Sequence, residues 1–280
     1  MKTNLTVEIV NVTPELAANY LKFNDKNRKL NDKNLTFLTK EMLSGRFTEN
    51  GESIVFDKYG ILKNGQHRLN AIVKAGMSYN IPIIRGVECD TMATFDTGKN
   101  RSAGDVLHLN GFKNSTNVAA LILSINTFAH KKSKRSSAAS GSEKNERPTN
   151  QQVLEYCQEN YEWLNDIKKK SEVIYKASTK PNVLNLTQIG LIAYIIGGEN
   201  PSKTVYDFLN HLVGVSRTAE SATSYIYTKI YNSKINKEPL NFYWILGMTI
   251  KAYNYFIEGN PSVKYYSFKV DSELPKVNEN

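Results

Sequence analysis

Apolar and polar residues in the first third of the chain alternate with two periods, one typical of strands and one typical of helices. Residues 7–12 alternate as a half-buried strand does, and Thr13-Pro14 then predicts a helix start, with threonine as N-cap and proline at the first helical position. Residues 52–57 and 61–63 predict the two strands of a hairpin. The pattern indicates a compact mixed α/β domain over residues 1–112.

The second half of the chain shows only the longer period. Its apolar residues recur every three or four positions, which predicts a helical domain over residues 150–280 that closes with a short strand at 263–270 and a polar tail. Between the halves, residues 113–130 predict a connecting helix, and the basic, Ser-rich residues 131–149 predict a flexible linker or loop. The expected fold class is therefore α+β, an α/β domain followed by an all-helical one.

The net charge of +9 is concentrated outside the helical half. Residues 131–150 hold six Lys or Arg against two Asp or Glu, whereas residues 151–280 hold 14 against 13. This placement favours attraction to a polyanion, because cationic side chains bind phosphate backbones without regard to base sequence. The candidate nucleic-acid contacts are Lys131, Lys132, Lys134 and Arg135. The alternative is a solvated linker that binds nothing.

Cysteine content and hydropathy restrict the compartment. The two cysteines, Cys89 and Cys157, lie in different predicted domains, which favours free thiols in a reducing compartment, and metal-binding cysteine pairs are absent from the sequence. No apolar run approaches the length of a membrane span, and the first residues lack the apolar segment of a secretory signal. We therefore expect a cytoplasmic protein without a membrane partner.

Residues 64–71, called the box below, join the predicted hairpin to a short helix and give the strongest functional signal. Gly65 ends the extended run, and glycine lets the backbone approach a ligand closely. The first amides of a helix point outward and favour an anion, and Gln66, His67 and Arg68 all fall in that first turn. The box predicts a phosphate or nucleotide cradle. The alternative is a well-capped surface helix.

Other cationic residues could complete this cradle. Lys99 and Arg101 follow Gly98 just ahead of a predicted helix start, so cationic side chains and helix-terminal amides come together there. Arg28 lies in a polar turn rich in asparagine and would give the pocket a third basic side. We expect the box, the Gly98 turn and Arg28 to converge on one concave site.

Catalysis at this site would need a base or a metal ligand, and the residues do not select one. The carboxylates available are Glu52, Asp57, Glu88, Asp90 and Asp96. His67 could donate to phosphate or carry a proton, and a structural hydrogen bond is an equal alternative. Arg68 would bind phosphate, or else form a structural ion pair with Asp57 or Asp96. Because no second histidine lies near the box, no zinc site is predicted.

Four short motifs follow one another between residues 7 and 107. The box contains G-x-x-R-x-x-A, from Gly65 through Arg68 to Ala71. N-x-x-N-R-x-L at residues 24–30 and G-E-x-I-x-F at 51–56 precede it, and D-x-G-x-x-R at residues 96–101 follows it. In this order the motifs resemble the ParB/sulfiredoxin superfamily, in a branch encoded by phages and bacteria.

The resemblance implies a compact α/β fold and a choice of three activities. Sulfiredoxin-type reduction needs a cysteine directly after the box glycine, where this chain has Gln66, so that activity is not expected. Partition proteins carry G-E-R-R, and in this chain Gln66 and His67 replace the acid and the second arginine. The expectation from this replacement is that phosphate is bound but that cytidine triphosphate does not act as a switch. Phosphotransferase relatives accept a histidine in the box and use a separate carboxylate as base. Many of them have Asp where this chain has Asn64.

The function expected is binding of nucleotide or nucleic-acid phosphates, in phage or mobile-element DNA metabolism within a bacterial cell. The first alternative is a phosphate-handling enzyme at the same cradle: a nucleotide hydrolase, a phosphotransferase or a nuclease. The second is a partner-binding protein whose box has no ligand. No cofactor follows from the residues, and a nucleotide with Mg²⁺ is the candidate. Tyrosines at helical spacing in the second half could stack on bases, but they are more often core or interface residues, so the helical domain is the candidate for self-association.

Overall fold

The computed structural model describes most of the chain and divides it into two compact units, Met1–Lys99 and Asn100–Asn280. The described residues are 5–25, 27, 29–88, 101–136, 147–216, 221–259 and 266–278, with the backbone alone over 130–136. The first unit holds a four-stranded mixed sheet with helices, and the described part of the second is helical. The α+β class expected from the sequence is confirmed.

The first unit combines three helices with four strands among its described residues. Along the chain they are β1 (Thr6–Val12), α1 (Pro14–Leu21), α2 (Asp32–Leu43), β2 (Ile54–Asp57), β3 (Leu62–Asn64), α3 (Gln66–Ala75) and β4 (Tyr79–Val87). The strand order is β1-β4-β2-β3, with β4 antiparallel to β1 and parallel to β2, and with β2 and β3 as an antiparallel hairpin. Met42, Leu69 and Ile72 of the helices are buried with Phe56 and Ile83 of the sheet. This core holds the β3–α3 junction in place.

Local hydrogen bonds explain where the first two helices begin. Thr13 Oγ1 accepts from the N–H of Leu16 (3.2 Å), and Pro14 occupies the first helical position, as the sequence pattern predicts. Asn31 Oδ1 accepts from the N–H of Lys33 (3.0 Å) at the start of α2. Both caps satisfy amides that the helix itself cannot pair.

The second unit contains seven helices among its described residues. They are α4 (Ala103–Leu109), α5 (Ser115–Ser136), α6 (Asn150–Ala177), α7 (Leu186–Gly197), α8 (Lys203–Leu212), α9 (Ala222–Ile235) and α10 (Phe242–Ile257). They surround one apolar core that includes Ile167, Ile192, Leu209, Ile226 and Met248. Six tyrosines that could have stacked on bases pack into or against this core: Tyr225, Tyr227, Tyr231, Tyr243, Tyr253 and Tyr255.

The division into units corrects the domain boundary that the sequence predicted. Helix α4 belongs to the second unit, so the first unit ends at Lys99 and not at residue 112. The physical reason is the direction of its apolar face. Ala103 and Leu107 are buried in the core of the helical unit, with α5 and α6 as neighbours.

Two further boundaries differ from the prediction. Helix α5 continues to Ser136, through basic residues for which the sequence predicts a linker. The described part of the predicted strand at 263–270 forms no strand. There Tyr266 and Phe268 bury their rings in the helical core, so their alternation reflects packing against helices and not strand pairing.

Candidate functional site

The β2–β3 hairpin leads the chain to Gly65, directly before α3. Gly65 has a φ of +106°, in the left-handed region, and a Cβ built on it would lie 2.9 Å from Cγ1 of Ile54. Any other residue would meet both a backbone penalty and a steric clash. Glycine therefore lets the start of α3 lie directly on strand β2.

The first turn of α3 differs from the first turns of α1 and α2. Its N-cap is Gly65, no side chain caps it, and the turn contains no acidic residue. Thr13 and Asn31 supply side-chain caps to the other two helices. The N-terminal end of α3 carries the partial positive charge of the helix dipole, and no acidic residue of the first turn offsets that charge. This arrangement suits an anion.

The asparagine-rich turn between α1 and α2 lies against the box. Asn24 Nδ2 donates to Oε1 of Gln66 (3.2 Å), which is 42 positions away in sequence. Asn27 Nδ2 donates to the carbonyl of Leu62 on β3 (2.7 Å). Since Ile54 of the motif at residues 51–56 also lies against Gly65, the structure brings together three of the four motifs. Arg28, proposed as a third basic side of the pocket, lies outside the described residues.

His67 is buried and joins the first turn of α3 to the start of α2. Its Nε2 atom accepts a hydrogen bond from the N–H of Asn31 (3.0 Å). Accepting requires an unprotonated Nε2, so the neutral ring carries its proton on Nδ1. Of the two roles that the sequence left open, this geometry favours the structural hydrogen bond. It also occupies Nε2, so that atom is not available to carry a proton in a reaction.

Arg68 lies in the first turn of α3 and forms an ion pair with Glu52. Its Nη2 atom is 3.3 Å from Oε2 of Glu52; the arginine side chain is 11% exposed and the glutamate side chain 63%. Water screens a pair with one exposed member, so a phosphate can compete with Glu52 for the guanidinium. Asp57, considered as a partner from the sequence, pairs elsewhere, and Asp96 lies outside the described residues.

Asp57 stabilises the turn of the hairpin. Its Oδ1 accepts from the N–H groups of Tyr59 and Ile61, both at 2.9 Å, and its Oδ2 lies 3.1 Å from Nζ of Lys63. Burial alone would raise the pKa of Asp57, but hydrogen bonds from Ile61, Lys63 and Tyr59 and the charge of Lys63 hold that pKa below its usual value. This carboxylate is fully engaged, which removes it as a candidate base. The Asp-x-x-Gly spacing to Gly60 is a turn signature that indicates this role from sequence.

The remaining candidate residues lie in three places: outside the described residues, at the end of the described part of the first unit, and in the second unit. Asp90, Asp96, Gly98 and Lys99 lie outside the described residues. Glu88 pairs with Lys58 (2.8 Å) and is exposed. Arg101 is exposed before α4, which begins with a capping box formed by Ser102 and Asp105. The backbone of Lys131, Lys132, Lys134 and Arg135 belongs to α5.

Metal-ligand clusters, membrane-spanning helices and reactive thiols are three further features that would indicate a function. Among the described residues, no group of three or more His, Cys, Asp and Glu side chains could hold a metal ion. No helix in that same part of the chain combines the length and the apolar composition of a membrane span. Cys157 is buried, and burial raises the pKa of its thiol to about 11, so it behaves as a packing residue.

Comparison with known proteins adds no constraint on this site. No family model, no curated protein and no solved structure matches the chain. The resemblance to the ParB/sulfiredoxin superfamily therefore rests on the four motifs, and the site is interpreted from its own geometry.

Proposed function

We propose that the first unit binds a phosphate group of a nucleotide or nucleic acid at the start of α3, as a ParB/sulfiredoxin-like protein of phage or mobile-element DNA metabolism. The observation that carries the proposal is the first turn of α3, where a left-handed glycine N-cap, a turn without acidic residues and Arg68 occur together. The amides and dipole of such a turn attract an anion, and the guanidinium adds a full charge with bidentate geometry.

The asparagine-rich turn supports the proposal because it holds the box from a second side. Asn24 positions the carboxamide of Gln66, and Asn27 holds Leu62, the first residue of β3. His67 ties the same turn of α3 to the start of α2. A cradle that is already ordered by hydrogen bonds loses less conformational freedom when its ligand binds, which favours affinity.

The alternative is a phosphate-handling enzyme, and the specific observation that favours it is the carboxylate of Glu52 beside Arg68. In a binding protein, Glu52 competes with phosphate for the guanidinium, so Glu52→Gln strengthens ligand binding by a few-fold. In an enzyme, this carboxylate serves as a base or as a Mg²⁺ ligand, and Glu52→Gln abolishes turnover. One substitution therefore separates the two functions.

A thermal-shift titration with the mono-, di- and triphosphates of cytidine and adenosine, with and without Mg²⁺, tests the proposal. A ligand that binds the native state raises Tm, by an amount that grows with its concentration over Kd. We expect a shift with at least one of these compounds and a larger one in Glu52→Gln. Release of phosphate by the wild type and not by Glu52→Gln identifies the enzyme instead. The absence of any shift, together with no binding of DNA, supports the ligand-free partner-binding protein.

Nucleic acid is the other source of phosphate, and the basic end of α5 is the candidate contact. Joint replacement of Lys131, Lys132, Lys134 and Arg135 by Gln should lower the salt dependence of DNA binding, because each phosphate contact releases counterions. The loss should be similar for all base sequences. Gel shifts at two salt concentrations measure the slope, and an unchanged slope removes this tract from the binding surface.

A further inference from the structure

The second unit contains a cavity of about 840 Å³ that the proposed function does not use. It lies between the middle of α5 and the first turns of α7 and α10, with Arg147 among its lining residues. Pockets for small organic molecules typically measure about 300–1,000 Å³, so this cavity is large enough for a ligand of that size.

One part of the lining is apolar. Leu191 of α7 and Leu246 of α10 are buried, and Leu123, Phe128 and Phe242 are partly buried beside them. Two of these five side chains are aromatic rings, which contact flat ligands over a large area. This wall favours a ligand with an apolar, planar body.

The polar part of the lining includes two asparagines that offer hydrogen-bond donors to a ligand. Asn185 and Asn241 are the N-caps of α7 and α10, and their Oδ1 atoms accept from the N–H groups of Gln188 (2.8 Å) and Tyr243 (2.8 Å). Because capping uses the oxygen of each carboxamide, the group that remains for a ligand is the NH₂ donor. The two carboxamides therefore favour an acceptor.

The charge around the cavity has one sign. Arg147 is exposed, and none of the described residues that line the cavity is acidic. The first turns of α7 and α10 contain no acidic residue, and both helices direct the positive ends of their dipoles to this cavity. An anion placed here meets a guanidinium and two carboxamide donors without a competing carboxylate from the lining.

We propose that this cavity binds an amphipathic organic anion, with a flat apolar body and one carboxylate, sulfonate or phosphate group. The body contacts Phe128, Phe242 and the leucines, and the anionic group contacts Arg147 and the carboxamides of Asn185 and Asn241. This site shares no residue with the start of α3. Its test is therefore independent of the function proposed for the first unit.

Two fluorescent probes that differ by a single anionic group test the proposal. 8-Anilinonaphthalene-1-sulfonate carries a sulfonate, and N-phenyl-1-naphthylamine is its uncharged counterpart; both become fluorescent in apolar surroundings. We expect one sulfonate probe to bind per chain, about tenfold more tightly than the neutral probe, as one charge-assisted contact implies. Equal affinity for the two probes, or no binding of either to the folded protein, overturns the proposal.

Substitutions assign the binding to the cavity. Arg147→Gln should weaken the sulfonate probe about tenfold and leave the neutral probe unchanged, since only the anionic contact is lost. Lys203→Gln is the matched control: its side chain is 88% exposed, pairs with Asp207, and lies outside the cavity lining. This control should bind both probes as the wild type does. Equal loss in the two variants overturns the assignment.

A filled cavity gives the second control. Thr187→Trp places an indole into the space from α7, and Ser124→Phe fills it from α5. Near-ultraviolet circular dichroism shows which of the two retains the native fold, and that variant should bind neither probe. A folded, filled variant that binds the sulfonate probe with wild-type affinity places the binding elsewhere and overturns the proposal.

Discussion

Helix α3 of the first unit begins in a different way from most helices of the second unit. In the second unit, α4, α6 and α7 start with reciprocal capping boxes, and α9 and α10 start with side-chain caps. In the first unit, α3 starts at a left-handed glycine without a side-chain cap. Capped starts satisfy their own amides and stabilise the fold, whereas a glycine start places no side chain of its own beside the positive end of the helix dipole.

Helix α8 shows that a missing cap alone does not define a site. Its N-cap, Ser202, makes no side-chain cap either, but it has an ordinary extended backbone. The first residue of α8, Lys203, is exposed and pairs with Asp207 of the same helix. What distinguishes α3 is the combination of a glycine packed on Ile54 with an arginine that is almost buried.

The largest effect should come from Gly65→Ala. The alanine Cβ would occupy a left-handed conformation and would lie 2.9 Å from Cγ1 of Ile54, so strain and overpacking add to about 3 kcal/mol. Hydrogen exchange of the α3 amides measures this loss. Gly60→Ala is the control, because Gly60 also has a positive φ (+81°) but its Cβ meets nothing within 4 Å. Equal losses in the two variants would show that the contact with β2 contributes nothing.

A smaller effect, of about 2 kcal/mol, should follow from Asp57→Ala, which removes two hydrogen bonds to the backbone and the partner of Lys63. The pKa of Asp57 is lower in the folded chain than in the unfolded one, so its stabilisation is complete above the ordinary carboxyl value of 3.8 and is lost as the pH falls below it. Urea unfolding at pH 7 and pH 3 should show the difference between wild type and variant shrinking at pH 3. Glu88→Gln is the control, because Glu88 pairs with Lys58 at an exposed position, and it should change the free energy of unfolding by less than about 1 kcal/mol.

The smallest effect should come from Gly247→Ala in the helical unit. The new Cβ would lie 2.5 Å from ring atoms of Phe268, and the gain of about 1 kcal/mol in helix propensity offsets part of the clash. We expect a net loss of about 1 kcal/mol in tryptophan-monitored unfolding, since both tryptophans lie in this unit. In a Phe268→Ala background the same change should stabilise the protein. A loss of equal size in that background would rule out the ring contact as the cause.

Features that depend on neighbours in sequence could be predicted. The Thr13 cap, the Ser102–Asp105 capping box and the start of α3 after Gly65 all follow from spacings of one to three residues. The turn at Asp57 belongs to the same class, because the Asp-x-x-Gly spacing to Gly60 is a turn signature. From the sequence, this carboxylate was interpreted only as a base or as an ion-pair partner.

Features that depend on tertiary contacts could not be predicted. The hydrogen bond from Asn31 to His67 joins residues 36 positions apart, and the choice of Glu52 as the partner of Arg68 depends on where the sheet and α3 place both side chains. The helical continuation of α5 to Ser136 could not be predicted for another reason. Its last residues are polar and basic and show no apolar period, so the sequence pattern favours a linker there.

The central claim is that Arg68 binds phosphate, and a matched pair of arginine variants tests it most directly. Arg46 belongs to the same unit and also forms an ion pair, to Glu41 at 3.1 Å, but it follows α2 in the chain and is not part of the box. Calorimetric titration with whichever nucleotide gives the largest thermal shift should show about a tenfold or greater loss of affinity in Arg68→Gln and none in Arg46→Gln, as expected for one charge-assisted contact. The fold of both variants should be retained. Equal affinity in the two variants, or unfolding of Arg68→Gln in the absence of ligand, would contradict the claim.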